Sequence, residues 1–494
     1  MPFLLAEILN FQGSTHHIGV GSFSYLLERL EISIINLSIC QSILDLRIDA
    51  STYKKIYLQE EALLKSRAAE RIGTIITSIQ NFGAYSLCNE INFVDDGIPF
   101  LMTQNVRDNY IDWSGVRNID DKSHNLLYKS HCLKNQVLIT MAGEYLGRAA
   151  VYNKDFICSS NQAIAKLTLK PGYSPYYVSS FVNCRYGQNQ IARFKTITGQ
   201  PNINMGLIKY LLIPKVSDEI NELIEKSVIL AIEKMEAANK KSEFVEHEIS
   251  RLLNIKNWAI SSDSTAVRSS KQLLANERWD AEFFQSKYDD FERYIKAYSN
   301  GYTTPRAEFE HVKTKCSHEL MEYNYLEIGD IDVGNGSSTS HVVAEEELPA
   351  NAKIMAKAGD IVVSTVRPYR GAVSVLRENE LLVSGAFTVL RQKGTYPPQT
   401  LQALFRTDLY KEWLLKYNVG TSYPVIKDDD VLDIPIPLFD DEDNQRIVEN
   451  VEKASALFEE SKAILCSVKC AVEQAVEDNE AGAKKILLSL ITKK

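Results

Sequence analysis

The sequence lacks any apolar run of the roughly 20 residues needed to cross a bilayer. Its start also lacks the basic residues and small-residue cleavage site of a secretory signal. Its eight cysteines include no Cys-x-x-Cys pair, the spacing typical of zinc sites. We therefore expect a cytoplasmic protein with reduced thiols, no membrane partner and no bound metal.

Catalytic signatures are missing too. There is no G-x-x-x-x-G-K-[ST] phosphate loop. The segment Ser174-Pro175-Tyr176-Tyr177 is similar to the catalytic motif of amino-methyltransferases, but it lacks the second proline, and no glycine-rich AdoMet loop precedes it. The histidines are dispersed and form no nucleophile–base pattern. A chain of 494 residues without such a constellation is predicted to bind or organise partners, not to be an enzyme, and to need no cofactor of its own.

Acidic residues are absent from the whole stretch between Phe156 and Ser217. A surface without carboxylates suits a phosphate backbone, because carboxylates and phosphates repel each other. The alternative is a half-buried stretch with few charges of either sign, and the net charge of −9 argues against a free-standing nucleic-acid binder. Residues 353–377 echo the pattern weakly, with five cations and one acid, Asp360. The cations of the acid-free stretch are Lys166, Lys170, Arg185, Arg193, Lys195, Lys209 and Lys215.

What the chain does have is an internal repeat. Arg47-Ile-Asp-Ala returns as Arg278-Trp-Asp-Ala, and a strand–loop–strand pattern at 136–151 returns at 360–373. An Ile-Pro pair followed by acidic residues occurs at 213–214 and again at 436–437. The offsets of 231, about 224 and 223 residues keep the order and change only loop lengths. Repetition of this kind predicts two copies of one module.

Each copy mixes short β-rich runs with helical pieces, without regular βαβ alternation. Val137–Thr140 and Ile361–Thr365 are predicted to be buried strands, and an amphipathic helical piece is predicted in each copy, over about 174–194 and 397–417. Glycine-bearing loops follow the strands at 142–148 and 366–371, and polar loops occupy 198–204 and 419–425. We predict an α+β fold class.

A long heptad pattern follows each copy. Apolar or small residues recur at steps of four and three from Ile224 to Leu252 and from Ile447 to Ala475. Such a pattern is typical of a coiled-coil seam. We expect the two helices to pair antiparallel and to join the two modules; the alternative is that each helix packs on its own module.

The resulting organisation has seven segments. They are an N-terminal lead-in (1–46), a first module (47–216), a central spacer helix (217–254), a linker (255–277), a second module (278–438), a C-terminal spacer helix (439–477) and a solvated tail (478–494).

The ordered set of motifs resembles the DNA-specificity subunits of type I restriction-modification systems. The features that carry the resemblance are the strand–loop–strand segments at 136–151 and 360–373, the polar loops at Gly199 and Gly420, and the Ile-Pro pairs with acidic helix starts. The chain departs from the family where Glu219-Ile220 replaces a Glu-Gln pair and where the loop at Val366 lacks the glycine that the first copy has at Gly143.

The resemblance implies a non-catalytic subunit with two target-recognition modules. Each module would read one half of a split, asymmetric double-stranded DNA site, and the paired helices would set the spacing. Two methyltransferase subunits, which use AdoMet, would dock on the chain, and translocating restriction subunits would join for cleavage. The chain would thereby serve DNA modification and phage defence.

Candidate DNA-contacting residues are those whose side chains reach base edges or phosphates from the predicted loops. A purely structural role is the alternative for each. In the first module they are Arg148, Arg193, Lys195, Gln200, Asn202 and Asn204. In the second module they are Arg367, Arg370, Thr421, Ser422 and Tyr423.

Three other functions stay open at this point. One is the specificity subunit of a type IIB-like or other phage-defence methylation system. Another, from a different class, is a coiled-coil assembly scaffold that never touches DNA. The third is a DNA methyltransferase in its own right, which binding of AdoMet by the isolated chain would indicate.

Overall fold

The structure is a computed structural model that describes residues 33, 35–36, 40, 47–83, 85–196, 199–262, 265–317, 319–419 and 423–492. Most of the predicted lead-in, 1–46, lies outside the described residues. The chain divides into two compact units: Met1–Glu233 with Ser461–Lys494, and Lys234–Glu460. The first contains the first module and the second contains the second module, and each long helix contributes a part to both units.

The first module is built from short elements around two four-stranded sheets. One sheet has the order β2-β9-β6-β7 and is antiparallel throughout; the other has the order β3-β5-β4-β8, in which β4 and β8 are parallel. All four residues of β6 are buried, which explains its continuous apolar sequence. The elements are α1 (Lys55–Ser66), β1 (Glu70–Arg71), α2 (Ile72–Ile75), β2 (Ile76–Gln80), β3 (Phe93–Val94), β4 (Ile98–Leu101), β5 (Arg117–Ile119), α3 (Asp121–Leu126), β6 (Val137–Thr140), β7 (Ala149–Val151), β8 (Ser159–Ser160), β9 (Ile164–Leu169), α4 (Pro175–Asn183), α5 (Arg185–Phe194), α6 (Met205–Tyr210), β10 (Leu212–Ile213) and the long helix α7 (Asp218–Leu252).

The second module repeats the strand order of the first sheet, and its other sheet again has four strands in a different order. Its sheets have the orders β12-β19-β16-β17 and β14-β13-β18-β15, again with one parallel pair, β13 and β18. A two-stranded pair, β1 with β10 and β11 with β20, precedes each long helix. The elements are α8 (Ser270–Asn276), α9 (Ser286–Lys296), β11 (Tyr302–Thr303), α10 (Pro305–Glu308), β12 (Phe309–His311), β13 (Glu322–Leu326), β14 (His341–Ala344), β15 (Ala352–Ala356), β16 (Ile361–Ser364), β17 (Val373–Val375), β18 (Leu381–Ser384), β19 (Phe387–Gln392), α11 (Pro398–Phe405), α12 (Asp408–Leu415), α13 (Asp428–Asp433), β20 (Ile436–Pro437), α14 (Asp441–Glu477) and α15 (Glu480–Thr492). The predicted pair of α+β modules is confirmed.

The region predicted to be helical over about 174–194 is helical and consists of two helices, α4 and α5, that break at Cys184. Cys184 has an extended backbone, with φ −76° and ψ 170°. Gly187 lets α5 pack closely against α4, since a Cβ there would lie 2.3 Å from the carbonyl oxygen of Phe181. The region 397–417 is likewise split, and Thr407 caps the second piece by accepting a hydrogen bond from the Tyr410 amide.

Helices α7 and α14 pair antiparallel, as predicted. In the second unit, Lys234 forms an ion pair with Glu460 at 2.5 Å, and Glu248 forms one with Arg446 at 2.8 Å. Residues later in α7 therefore contact residues earlier in α14, which shows that the two helices run antiparallel. In the first unit, the buried Ser461 donates to the carbonyl oxygen of Ala231 at 2.7 Å. The first part of α7 also packs on the core of the first module, so pairing and packing on the module occur together.

The predicted solvated tail is wrong. Residues 480–492 form α15, and its side chains Ala483 and Leu487 are fully buried in the core of the first unit. Lys484 pairs with Glu219 at 2.6 Å, which fixes α15 beside the start of α7. The segment is an amphipathic helix with a continuous apolar side, and that side needs a core to cover it.

Candidate nucleic-acid interface

Two loops of each module carry the predicted contact residues. Loop A connects the last two strands of the first sheet, β6 to β7 (residues 141–148) or β16 to β17 (365–372). Loop B connects two helices, α5 to α6 (195–204) or α12 to α13 (416–427). Residues 197–198 and 420–422 of loop B lie outside the part of the chain that the structure describes.

Loops A and B of the first module are joined backbone to backbone. The Gly143 amide donates to the Pro201 carbonyl at 3.1 Å, and the Ile203 amide donates to the Met141 carbonyl at 2.9 Å. The two loops therefore form one surface, although about 60 residues separate them in sequence.

The second module joins its loops in the same way. The Arg367 amide donates to the Pro424 carbonyl at 2.7 Å, and the Ile426 amide donates to the Thr365 carbonyl at 2.9 Å. These contacts make Arg367 the counterpart of Gly143. Both residues have a positive φ, +51° for Arg367 and +87° for Gly143, so an arginine holds a backbone conformation that favours glycine.

The repeated Arg-x-Asp motif fixes the start of loop B. In the first module, Arg47 donates to the carbonyl oxygen of Lys195 at 3.0 Å, and Asp49 holds the same guanidinium at 2.8 Å. These bonds satisfy a carbonyl at the end of α5, where no helical partner is available.

The second copy of the motif makes the same contact. Arg278 donates to the carbonyl oxygen of Asn418 at 2.8 Å and to Asp280 at 2.6 and 2.7 Å. The hydrogen bond from Arg278 lowers the pKa of Asp280, which keeps this carboxylate charged. The motif therefore holds the backbone at the start of loop B in both modules.

In the first module, Arg148 is the cation at the centre of the loop surface. Its side chain is 34% exposed, and its guanidinium lies 4.7 Å from the ring centre of Tyr145 and 3.8 Å from Asp108. Gln200 and Asn202 are exposed on the adjoining loop B. This set offers one cation, two amides and an aromatic face, which can contact phosphates and base edges.

In the second module, the guanidinium of Arg367 lies 4.5 Å from the ring centre of Tyr423. Tyr423 is 60% exposed, and Arg370 is exposed on loop A. Thr421 and Ser422, which the sequence also predicts as contacts, lie outside the described residues.

One predicted contact residue is buried in the fold instead. Arg193 is 4% exposed; it donates to the Thr52 carbonyl at 2.8 Å and to Glu61 at 2.6 Å, so it cannot face a ligand in this conformation. The side chain of Asn204 accepts the Leu207 amide at 2.9 Å and caps α6. Lys195 is half-buried, and its carbonyl is the one that Arg47 holds.

The acid-free stretch is not one basic surface. Two of its seven cations, Lys166 and Arg193, are buried, and two others, Arg185 and Lys215, pair with glutamates. The remaining three cations, Lys170, Lys195 and Lys209, are not buried and form no ion pair among the described residues. The alternative explanation, a half-buried stretch with few charges of either sign, therefore accounts for most of the acid-free sequence.

The sequence reasoning missed a tyrosine that both copies of loop A share. Matching Gly143 with Arg367 aligns Gly147 with Gly371, both of which have a positive φ, and places Tyr145 opposite Tyr369. Tyr369 is 41% exposed. The signal that could have found it is the shared spacing Tyr-x-Gly in the two loops.

No group of three or more His, Cys, Asp or Glu side chains that could hold a metal occurs among the described residues. None of the helices that the structure describes is both long and apolar enough to cross a membrane.

No protein-family model matches the chain, and no curated protein matches it in sequence. Among solved structures, the chain is similar to the S subunit of a type I restriction-modification system from M. genitalium, at 14% identity and a TM-score of 0.36, over 85% of this chain and 95% of that one. It is also similar to the HsdS subunit from Thermoanaerobacter tengcongensis, at 11% identity and a TM-score of 0.23, over 86% and 95%. A third similar chain comes from work on complex assembly and conformational transition of the type I restriction-modification system, at 12% identity and a TM-score of 0.26, over 86% and 97%.

Proposed function

We propose that this chain is the DNA-specificity subunit of a type I restriction-modification complex. Each module reads one half of a split DNA target through the surface formed by its loops A and B. The observation that carries the proposal is the duplicated loop pair: two modules fasten the same loops with the same backbone contacts and present different side chains on them.

The difference between the two surfaces supports an asymmetric target. The first surface offers Arg148, Gln200 and Asn202, whereas the second offers Arg367, Arg370 and Tyr423. Amide and guanidinium groups read base edges in the major groove, each with its own preference, so unlike surfaces select unlike half-sites.

The long helices support a fixed spacing between the half-sites. Helix α7 has 35 residues and α14 has 37, which corresponds to about 52 and 55 Å at 1.5 Å per residue. A stiff antiparallel pair would hold the gap between two DNA contacts constant, and it would offer the surface on which two methyltransferase subunits, with their AdoMet, dock. The chain itself supplies no catalytic group to this scheme, and translocating restriction subunits are the further partner it implies.

Single-molecule methylome sequencing tests the proposal. Cells carrying this gene and its neighbours are compared with cells from which this gene alone is deleted. We expect a methylated motif of two different short blocks with a fixed gap, which disappears with the gene. A methylome unchanged by the deletion would overturn the proposal.

The two surfaces are then separated by variants. Arg148→Ala should relax one block of the methylated motif, and Arg370→Ala should relax the other. Equal degradation of both blocks by either variant would contradict the division of labour between the modules.

A further inference from the structure

The core of the first module contains a buried amine. Lys166 on β9 is 0% exposed, and its Nζ donates to the hydroxyl of Ser160 at 3.0 Å. Ser160 in turn donates to the carbonyl oxygen of Ser130 at 3.3 Å. No carboxylate pairs with Lys166 among the described residues. A buried ammonium without a counter-charge is strongly unfavourable, so its other neighbours decide how it is stabilised.

Two thiols share this core with Lys166. Cys132 and Cys158 are the adjoining residues on one side of the isolated antiparallel bridge between His131 and Ser159, which places them opposite each other, and the Cys132 amide donates to the Cys158 carbonyl at 2.9 Å. Residues opposite each other in such a pair point to the same face. Cys132 is 6% exposed and Cys158 is 1% exposed.

The second module shows that the fold does not need these polar groups. In the first module Lys166 lies opposite Leu138 across the sheet, and in the second module Val389 lies opposite Val362. Likewise, Ala356 lies opposite Leu381 in the second module, at the positions that Cys132 and Cys158 occupy in the first. The counterparts of Cys132, Cys158, Ser160 and Lys166 are, in that order, Ala356, Leu381, Val383 and Val389. All four counterparts belong to one apolar core cluster.

The surroundings of Cys132 and Cys158 favour ionisation of Cys132 over ionisation of Cys158. The hydrogen bond from Cys158 and the nearby amine of Lys166 lower the pKa of Cys132, while the same bond and burial raise the pKa of Cys158. Burial lowers the pKa of Lys166 to about 8, so the amine still carries its proton at neutral pH. A nearby ammonium increases the fraction of a thiol that is ionised, and the thiolate is the nucleophilic form of cysteine.

We propose that Cys132 is a peroxide-reactive site and that Cys158 converts its oxidised form into a disulfide. The Cys132 thiolate attacks one oxygen of a hydroperoxide; a sulfur–oxygen bond forms and the oxygen–oxygen bond breaks. Sulfur is oxidised by two electrons to the sulfenic acid, and the leaving oxygen takes a proton. Cys158 then attacks this sulfur, the disulfide forms, and the hydroxyl leaves with the Cys158 proton as water.

Geometry and access fit a small oxidant. Opposite residues in a hydrogen-bonded antiparallel pair have Cα atoms about 5.5 Å apart, within the range of disulfides. Because Cys132 is only 6% exposed, we expect a small oxidant such as hydrogen peroxide to reach it more readily than a bulky alkylating reagent. This reaction involves the first module alone and does not require DNA binding.

The test uses the reduced full-length chain with the exposed Cys466 and Cys470 replaced by serine. The chain is treated with hydrogen peroxide, quenched, alkylated after unfolding and mapped by mass spectrometry. We expect a peptide pair linked through Cys132 and Cys158. Half-buried Cys316 of the second module is the internal control and should oxidise more slowly.

Two variants separate the roles. Cys158→Ser should stop the reaction at the sulfenic acid of Cys132, which a 1,3-dione reagent traps. Lys166→Met should slow the oxidation of Cys132 by about tenfold or more, because the thiolate fraction falls. Should this variant not fold, Lys166→Val copies the residue of the second module.

The proposal is overturned if Cys132 oxidises no faster than Cys316 in the otherwise unchanged chain. It is also overturned if the linked peptide does not form, or if a folded Lys166 variant reacts at the original rate. The linked peptide in the unchanged chain is a test that needs no variant to fold.

Discussion

The guanidinium of Arg367 lies over the ring of Tyr423, 4.5 Å from its centre, and so joins loop A to loop B of the second module through side chains as well as backbone. A cation stacked on an aromatic ring loses little of its charge to this contact and stays available to an anion. If the chain binds DNA as proposed, we expect this pair to contact a phosphate or a base.

Arg367→Gly tests this pair without disturbing the backbone. Because φ at this position is +51°, glycine fits the loop, whereas Arg367→Ala keeps the strain and should be less stable than Arg367→Gly by about 1 kcal/mol. Both variants should lose roughly 1–3 kcal/mol of binding to DNA that carries the second half-site. Thermal unfolding and DNA titration of the assembled complex measure the two effects. Unchanged affinity in both variants would remove Arg367 from the interface.

The Arg-x-Asp motif should control the order of loop B in its own module. Arg278→Met removes the bonds to the Tyr417 and Asn418 carbonyls and should destabilise the loop by about 1–3 kcal/mol. Amide hydrogen exchange should become faster in loop B of the second module, at the described residues of 416–427. It should not change in loop B of the first module, 195–204. Arg47→Met is the matched control with the reverse pattern. Exchange that rises equally in both loops would argue against this role.

The helix pair should tolerate a lost hydrogen bond at Ser461 better than added volume. Ser461 is fully buried against Ala231. Ser461→Ala should cost about 1 kcal/mol, whereas Ser461→Leu should cost about 1–3 kcal/mol or more through overpacking. Urea denaturation of the two variants compares these costs. A leucine variant as stable as the alanine variant would mean that the helices are not closely packed there.

The buried Lys166 should make stability depend on pH in the alkaline range. Its pKa falls from 10.5 to about 8 on folding, so between these values the unfolded chain binds more protons and stability rises with pH. The loss of folding stability caused by burying the protonated amine is fully present below pH 8 and is on the order of 3 kcal/mol. Lys166→Met should therefore be more stable than the unchanged chain at pH 7, and the advantage should shrink as pH approaches 10.5. An advantage that is constant with pH would show that the amine is not the cause.

The sequence predicted the architecture well because repetition and heptad periodicity depend on the pattern of many residues. The two modules, their α+β class and the antiparallel helices follow from such patterns. The break at Cys184 depends on one close approach at Gly187, and the burial of α15 depends on a core built elsewhere in the chain. Neither is visible in local sequence.

Individual contact residues were harder to predict than the loops that carry them. Arg193 looks like any other cation in sequence, but its bonds to the Thr52 carbonyl and Glu61 place it inside the core. The same holds for Lys166, which belongs to a segment without acids because the segment is largely buried. Charge composition alone does not distinguish a surface cation from a buried one.

The burial of α15 also bears on how the protein is made. The first unit combines residues up to Glu233 with residues from Ser461 onward, whereas the second unit is one continuous segment between them. During synthesis the second unit can close as soon as its own residues have left the ribosome. The first unit cannot be completed until α14 and α15 have been synthesised, and until then the apolar surface of α7 stays uncovered. Chaperone dependence and premature degradation should therefore concentrate on the module that is translated first and completed last.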